Sequence, residues 1–424
     1  MPDQLQQGAL QVVKRLVGQG YQAYLVGGCV RDGQLGRPVK DYDIATSAKP
    51  EQVQALFERT IPTGLQHGTV TVLIGRTPYE VTTFRKEGDY EGFRRPSEVE
   101  YIDNLQEDLQ RRDFTMNAMA MDQDGQLIDP FHGMDDVRAG ILRCVGHAAE
   151  RFSEDALRML RCLRFASEYG LRIEDSTWQA LLAGKTLLRH IAMERVRAEL
   201  ERMLGGRNPD LALQLLVDSG VLDHTKQELQ LARIVGAKPK TELGSLPGSL
   251  LRLACLYIEM QIDSAAVEED LRLLTFSKQQ IEAVRSMVAA HEMLHSLNEQ
   301  SSGDEEAGTL KRIWILTALR YGVEAMHGLR QVYRQLANSQ EADVHWSQEG
   351  EAWLHALPAS KLSELQVTGQ LLLARLDTKP GPWLGRLLGE LLEAVALGLL
   401  PNDQEALLEA AQLNYAKIRE TEKR

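Results

Sequence analysis

Strand-type and helix-type periodicities occupy different parts of this chain, and that division limits the folds open to it. Up to about residue 145, short runs rich in β-branched residues alternate with amphipathic stretches. From about residue 150 onward the strand signals vanish. Leu, Ala, Glu and Arg then recur at helical spacing, broken at Gly205-Gly206, at Lys238–Pro247 and at Asn298–Gly308. An α/β head on a long helical body is the expectation. Within the head, residues 4–18 suit an amphipathic helix and Ala23-Tyr24-Leu25-Val26 a buried strand. Lys49 to Thr60 suits a second helix, after the start signal Ser47-Ala48-Lys49-Pro50 with Glu51 in its first turn. Thr69–Ile74 and Tyr79–Phe84, separated by Gly75-Arg76-Thr77-Pro78, read as a hairpin. Residues 85–98, charged and rich in Gly and Arg, read as a mobile loop.

At 424 residues the chain has room for two to four domains. No apolar run approaches a membrane span, and Met1 to Lys14 lacks the charged-then-apolar pattern of a secretory leader. Cys29, Cys144, Cys162 and Cys255 show neither metal-ligand spacing nor a disulfide framework, which fits a reducing cytoplasm. The net charge of −12 argues mildly against a nucleic-acid partner, but the distribution of charge matters more than its sum. Residues 151–207 run the other way, with eleven Lys and Arg against eight Asp and Glu.

Four segments carry residues suited to chemistry. Gly27 and Gly28 follow the first strand, and Asp41 and Asp43 flank Tyr42. Strand alternation would send both carboxylates to one side, where they repel unless a divalent cation lies between them. Such a pair beside a glycine turn suits a nucleoside triphosphate with magnesium. Glu80 on the hairpin would approach as a third carboxylate, as two-metal sites often require. Arg111-Arg112-Asp113-Phe114-Thr115 offers guanidinium forks for phosphate, although such a run taken alone reads as a salt-bridged surface.

The fourth segment is Arg151 to Phe165, in which Ser153 is a natural N-cap and Asp155 and Arg158 lie three apart on one helix. The bland reading of that pair is a surface ion pair. The functional one is a reader of base edges. A carboxylate accepts from an exocyclic amino group while a guanidinium donates to a bare ring nitrogen. Cytosine and adenine present both, whereas guanine and uracil would leave acceptor facing acceptor and donor facing donor. Arg161 and Arg164 continue at three-residue steps, each rotating about 60° backwards. Arg164 then falls opposite Asp155, better placed for phosphate, RNA or a structural partner than for the base.

Taken in order, Gly27 to Asp32 with Asp41 and Asp43, Arg111 to Ala118, and Glu154 to Arg161 resemble the motifs of the class II tRNA nucleotidyltransferases, the CCA-adding enzymes, in their shorter bacterial form. Ile191 to Leu200 resembles the family's neck helix, and Gly381 through Asn402 its tail. The resemblance implies a polymerase-β-like nucleotidyltransferase head with a mixed sheet, followed by an all-α neck, body and tail. It places the catalytic head at 1–145, the nucleobase-recognising neck at 146–207, a tRNA-binding body at 208–300 and a tail for the tRNA elbow at 301–424. Asp41 and Asp43 would be catalytic and hold Mg2+. Gly28, Arg31 and Arg112 would contact the nucleotide, Asp155 and Arg158 would template the base, and Arg161 and Arg164 would lie nearby. The tRNA 3′ hydroxyl would attack the α-phosphate of CTP or ATP in line and release pyrophosphate. One metal would activate the hydroxyl while the other stabilises the leaving group. The partners implied are the acceptor stem and elbow of tRNA, with no membrane, for a cytoplasmic monomer or homodimer.

One departure is local: Cys29 stands where the family often has alanine, and reads as a packing residue. Related products remain open at this stage. A bacterial poly(A) polymerase typically carries an Arg-Phe-rich segment that residues 61–75 lack. CC-adding relatives lack the flexible loop, whereas Arg85–Pro96 looks full length. An A-adding enzyme differs subtly, and an inactive RNA-binding relative would not need Asp41 and Asp43.

Overall fold

Alternation of apolar residues in the first 130 residues produces a mixed sheet with a core on each face. The computed structural model describes residues 4–87, 90–91, 95–96, 99–301, 307–336 and 340–421. Its strands begin with β1 (Ala23–Val26), β2 (Asp43–Thr46), β3 (Thr60–Gly64), β4 (Thr69–Ile74) and β5 (Thr77–Thr83). Short strands come next: β6 (Arg85–Glu87), β7 (Tyr90–Glu91), β8 (Arg95–Pro96), β9 (Val99–Tyr101), β10 (Ala120–Met121) and β11 (Leu127–Ile128). Seven of them form one sheet in the order β11-β10-β1-β2-β5-β4-β3. β1 pairs antiparallel with β2 and β10, and β2 pairs parallel with β5. This is the mixed-sheet head expected, and helices dominate the remainder of the chain.

The chain divides into two compact units, Met1–Val235 and Gly236–Arg424. In the first, α1 (Gln4–Val17), α2 (Gly28–Gln34) and α3 (Pro50–Leu56) precede α4 (Leu105–Gln110) and α5 (Gly133–Arg138). The helices α6 (Ala148–Glu154), α7 (Leu157–Tyr169), α8 (Asp175–Gly184), α9 (Met193–Gly205) and α10 (Pro209–Ser219) complete it. One sheet face buries Leu25, Ile44, Val70, Val72 and Val81 with Val12, Val13 and Leu16 of α1. The other buries Val26, Ala45 and Phe84 with Leu105 and Leu109 of α4. The period-2 alternation along β1 and β2 assigns each residue to one core or the other.

Three local expectations change. The helix expected from Lys49 to Thr60 ends at Leu56, because Thr60–Gly64 is drawn into the sheet as its edge strand beside β4. The hairpin turn is tighter than expected, with Thr77 and Pro78 already paired to Ile74 and Leu73. In the segment expected to be a loop, β6 pairs with β9 and β7 with β8. Charged residues there hid the ladder from a hydrophobicity reading. Of the residues 85–98 expected to be mobile, 88–89, 92–94 and 97–98 lie outside the described residues.

After α11 (Ile234–Ala237), the second unit contains α12 (Ser249–Glu259), α13 (Ser264–Leu273), α14 (Lys278–Gln300), α15 (Ala307–Tyr321), α16 (Val323–Tyr333) and α17 (Glu341–His355). It ends with α18 (Gly369–Leu376), α19 (Pro382–Ala396) and α20 (Gln404–Thr421). Ser277 caps α14 reciprocally with Gln280, which starts that long helix sharply. Trp314 and Trp346 are fully buried and stacked, and a side chain at Gly350 would strike Trp314 at 2.7 Å. Burial, with His295 beside it, lowers His291 to about 4, so that ring is neutral at neutral pH. Among the described residues no helix is long and apolar enough to cross a membrane.

Candidate active site

Asp43 opens β2, paired with Val26 of antiparallel β1 and Glu80 of parallel β5. Asp41 lies two residues earlier, before the strand begins. The ladder with β1 stops at Val26, where the chain turns through Gly27 at φ 75°. Alternation nevertheless continues: Tyr42 is buried between two exposed aspartates. Desolvation pushes the Asp43 carboxyl up to about 6, with Arg112 opposing and the charges of Asp41 and Glu80 adding. A carboxylate whose ionisation is opposed by two neighbouring acids fits a divalent cation, whose charge would relieve that repulsion. Glu80 lies in register with Asp43 on the neighbouring parallel strand.

Of the two glycines, Gly27 is the one whose geometry demands glycine. Its φ is positive, and a side chain there would meet Arg112 Nη1 at 2.9 Å. At Gly28 a Cβ would find ordinary contact, 3.5 Å from Arg31. Cys29 donates to the Val26 carbonyl at 3.2 Å, and burial pushes its thiol up to about 11, in keeping with a packing residue.

A cavity of about 750 Å3 opens here, within the size range of small-molecule sites. Gly28, Arg31, Asp41, Asp43, Arg112, Asp155, Arg158 and Arg161 all line it, so eight of the ten residues expected at the site from sequence converge, while Glu80 and Arg164 are not among the lining residues. The Arg164 Nε donates to Glu199 at 2.5 Å and its Nη1 to Glu168 at 3.1 Å, while its guanidinium lies 3.9 Å from the centre of the Phe165 ring. Helical rotation had already turned it away from Asp155. Arg111 and Asp113 of the arginine-rich run also line the cavity, as do Arg85, Asn117, Phe165 and Arg195, which were not assigned to it from sequence. Seven arginines against four aspartates make the lining cationic, as a triphosphate requires.

Arg31 is held in place on several sides. Its Nε and Nη2 donate to Asp32 at 3.1 and 2.9 Å, and its Nη1 donates to the side-chain oxygen of Asn117. The Tyr169 hydroxyl donates to the same Asp32 at 2.6 Å, and the Tyr169 ring lies 4.5 Å from the guanidinium. Arg112 is less committed. Its Nη2 is 3.6 Å from Asp108, and its Nε is buried without a hydrogen-bond partner. A buried donor left unpaired is costly, and an anionic ligand would satisfy it.

The helix expected across Ser153 is two helices. Ser153 lies inside α6, its hydroxyl donating to the Glu150 carbonyl, and so caps nothing. The break falls at Asp155, in extended conformation, whose carboxylate accepts from the Leu157 N–H at 3.1 Å and so caps the second helix itself. Arg195 of α9 grips that carboxylate at 2.9 and 3.3 Å. Arg158 donates to Glu154 at 2.6 Å and to the carbonyls of Arg111 and Arg151. Asp155 and Arg158 thus face one cavity, each oriented by its own partner. Replacing Arg195 with alanine should raise the KM for nucleotide by about tenfold with little change in melting temperature, because a half-exposed guanidinium is lost but a carboxylate loses its orientation. Initial-rate kinetics beside a thermal melt check this, and an unchanged KM would remove Arg195 from the assignment.

Asp113 ties these parts together. It accepts from the Phe114 N–H and the Asn117 amide on one oxygen, and from Arg161 Nε and Nη2 at 2.8 and 2.6 Å on the other. Burial alone would raise its carboxyl, but Arg161, the Asn117 amide and Arg158 together hold it down at about 2. Its folded value lies below the unfolded one near 3.9, so its stabilisation, about 2 kcal/mol, is complete above that value and lost as pH falls through about 2. Asp113→Asn should cost about 3 kcal/mol at pH 7, since Arg161 is left without its counter-charge. Urea unfolding at pH 7 and at pH 3 checks this, with the gap from wild type narrowing at the lower pH.

The "Poly A polymerase head domain" family matches residues 23–143, and the family of tRNA nucleotidyltransferase domain 2 matches residues 249–411. A third family, "Probable RNA and SrmB- binding site of polymerase A", matches residues 170–232. The CCA-adding enzyme of Lactiplantibacillus plantarum is 40% identical over 96% of this chain and 96% of its own length. That of Anoxybacillus flavithermus is 39% identical over 98% of this chain and 99% of its own. The crystal structure of the Bacillus stearothermophilus CCA-adding enzyme in complex with CTP superposes with a TM-score of 0.83 at 32% identity, covering 99% of this chain and 100% of that one. With both units matched end to end at such identity, the chain belongs to the family of CCA-adding enzymes.

Proposed function

We propose that this chain adds C, C and A in turn to the 3′ end of tRNA, taking CTP and ATP and releasing pyrophosphate. One observation carries the reading: a single cavity is lined both by Asp41 and Asp43 and by Asp155 and Arg158. The first pair suits metal-assisted phosphoryl chemistry, and the second suits discrimination between bases. We assign Asp41 and Asp43 as catalytic ligands of Mg2+, with Glu80 beside them. Bound there, Mg2+ would neutralise developing charge on the phosphate and lower the pKa of the attacking hydroxyl. Arg31 and Arg112 bind the triphosphate, Gly28 lies against it in the cavity lining, and Arg161 anchors α7 on Asp113 within reach of it. Arg164, clamped between Glu199 and Glu168, supports α7 rather than the nucleotide. Asp155 accepts from the amino group shared by cytosine and adenine while Arg158 donates to the bare ring nitrogen beside it. Guanine and uracil would leave both groups mismatched in a desolvated site.

In this reading residues 1–145 form the catalytic head and 146–207 the nucleobase-reading neck, with 208–300 the body and 301–424 the tail that grip acceptor stem and elbow through shape and phosphates. The cytoplasm is its compartment, in keeping with four buried free thiols. The test is incubation with tRNAs lacking the last one, two or three nucleotides, each with CTP, ATP or both, in the presence of magnesium. Completion of all three ends supports the reading, and no incorporation on any of them would sink it. Restoration of only the final A, or only the CC, would reassign the chain within the family, and long A tails on unrelated RNA would make it a poly(A) polymerase.

A further inference from the structure

The second unit holds a cluster that the reaction above does not use. His291 and His295 lie one helical turn apart on α14, and Asp343 lies on α17. Each offers a ligand atom within 4.8 Å of the others. His295 Nε2 is already 2.9 Å from Asp343 Oδ1, and the two imidazole centres are 4.3 Å apart. We propose that His291, His295 and Asp343 form a binding site for a zinc-class transition-metal ion that pins α14 to α17, separate from the catalytic carboxylates.

The donor set carries the argument. Two imidazoles at i and i+4 present one face of a helix to a metal, and a carboxylate from a second helix completes a three-ligand set with a fourth position left for water. Zinc bonds of about 2.0–2.2 Å require ligand atoms about 3.3 Å apart, so His295 and Asp343 need separate by only a few tenths of an ångström. Nitrogen donors favour zinc, cobalt or nickel over magnesium.

The surrounding groups orient these ligands as outer partners do in metal sites. The Gln340 N–H donates to Asp343 Oδ2 at 2.9 Å, and the Tyr333 hydroxyl lies 2.9 Å from His291 Nδ1. Asp343 is buried, and Trp346 packs edge-on against His295 in an apolar wall. A carboxylate and two imidazoles taken out of water at one point are otherwise an expensive arrangement for a helical core.

The test uses the full-length chain without a histidine tag, carrying Asp41→Ala and Asp43→Ala so that the catalytic site contributes no metal. After chelation and dialysis, the protein is titrated with zinc and with cobalt(II), and bound metal is measured by elemental analysis. About one zinc per chain, a rise of about 5 °C in melting temperature and the strong visible bands of tetrahedral cobalt(II) are expected. His295→Ala or Asp343→Asn should weaken zinc binding by about 100-fold or more. Should either variant fail to fold, the cobalt spectrum of the parent decides. Less than about 0.1 zinc per chain, no tetrahedral cobalt spectrum, or the same stabilisation by magnesium would overturn the site and leave a buried hydrogen-bond network.

Discussion

Asp43→Ala should lower nucleotide addition by about 10³-fold or more, equivalent to about 4 kcal/mol of transition-state stabilisation, while tRNA binding stays near wild type. The size follows from the position of the side chain. Asp43 faces the cavity, in register with Glu80 and close enough to Asp41 for that charge to add to the cost of ionising it. Removing it would take away a proposed metal ligand for which Glu80, fixed on β5, cannot shift to compensate. The backbone pairing of Asp43 with Val26 does not involve the side chain, so folding should survive. Single-turnover incorporation on tRNA lacking its final A, beside a filter-binding measurement of tRNA affinity, checks both halves. Near-normal turnover would refute Asp43 as a metal ligand, and lost tRNA binding would point to a structural role instead.

Joint replacement of Asp155 and Arg158 by alanine should reduce discrimination against UTP and GTP by about two orders of magnitude. The preference rests on mismatched bases leaving buried polar groups unpaired, and alanine removes the groups that would be left unpaired. Correct addition should slow as well, but the ratio of wrong to right incorporation is the informative quantity. The double variant also removes one of the two arginine partners of Glu154 and the carboxylate partner of Arg195, so a thermal melt must accompany the kinetics. An unchanged misincorporation ratio in a folded protein would end the base-edge account.

Much of the fold was legible because its signals are local. The glycine turn after β1, the alternation through Asp41-Tyr42-Asp43 and the loss of strand periodicity near residue 150 each depend on neighbours in sequence. Reading failed where a distant partner overrode a local preference. Ser153 looked like a cap, but the carboxylate of Asp155, two residues later, accepts from the Leu157 N–H where the run breaks. Thr60–Gly64 looked like the end of a helix until β4 offered it an edge to pair with. Charges in residues 85–101 concealed short ladders made by backbone groups, which side-chain hydrophobicity does not report.

The chemical inventory was therefore present in the sequence: two carboxylates on one side of an extended segment, an arginine-rich run, and an Asp and an Arg one turn apart. Spacing of two along a strand and three or four along a helix is enough to bring such groups together, because backbone geometry sets those distances. Tertiary structure alone decided which arginine serves which acid. It brought Arg195 forty residues to Asp155, joined Tyr169 to Asp32 and thereby to Arg31, and turned Arg164 onto Glu199 and away from the cavity. No periodicity encodes those pairings. They follow from how α7 packs against α9 and α2, and a cationic cavity lined by both Asp41 with Asp43 and Asp155 with Arg158 exists only once they have.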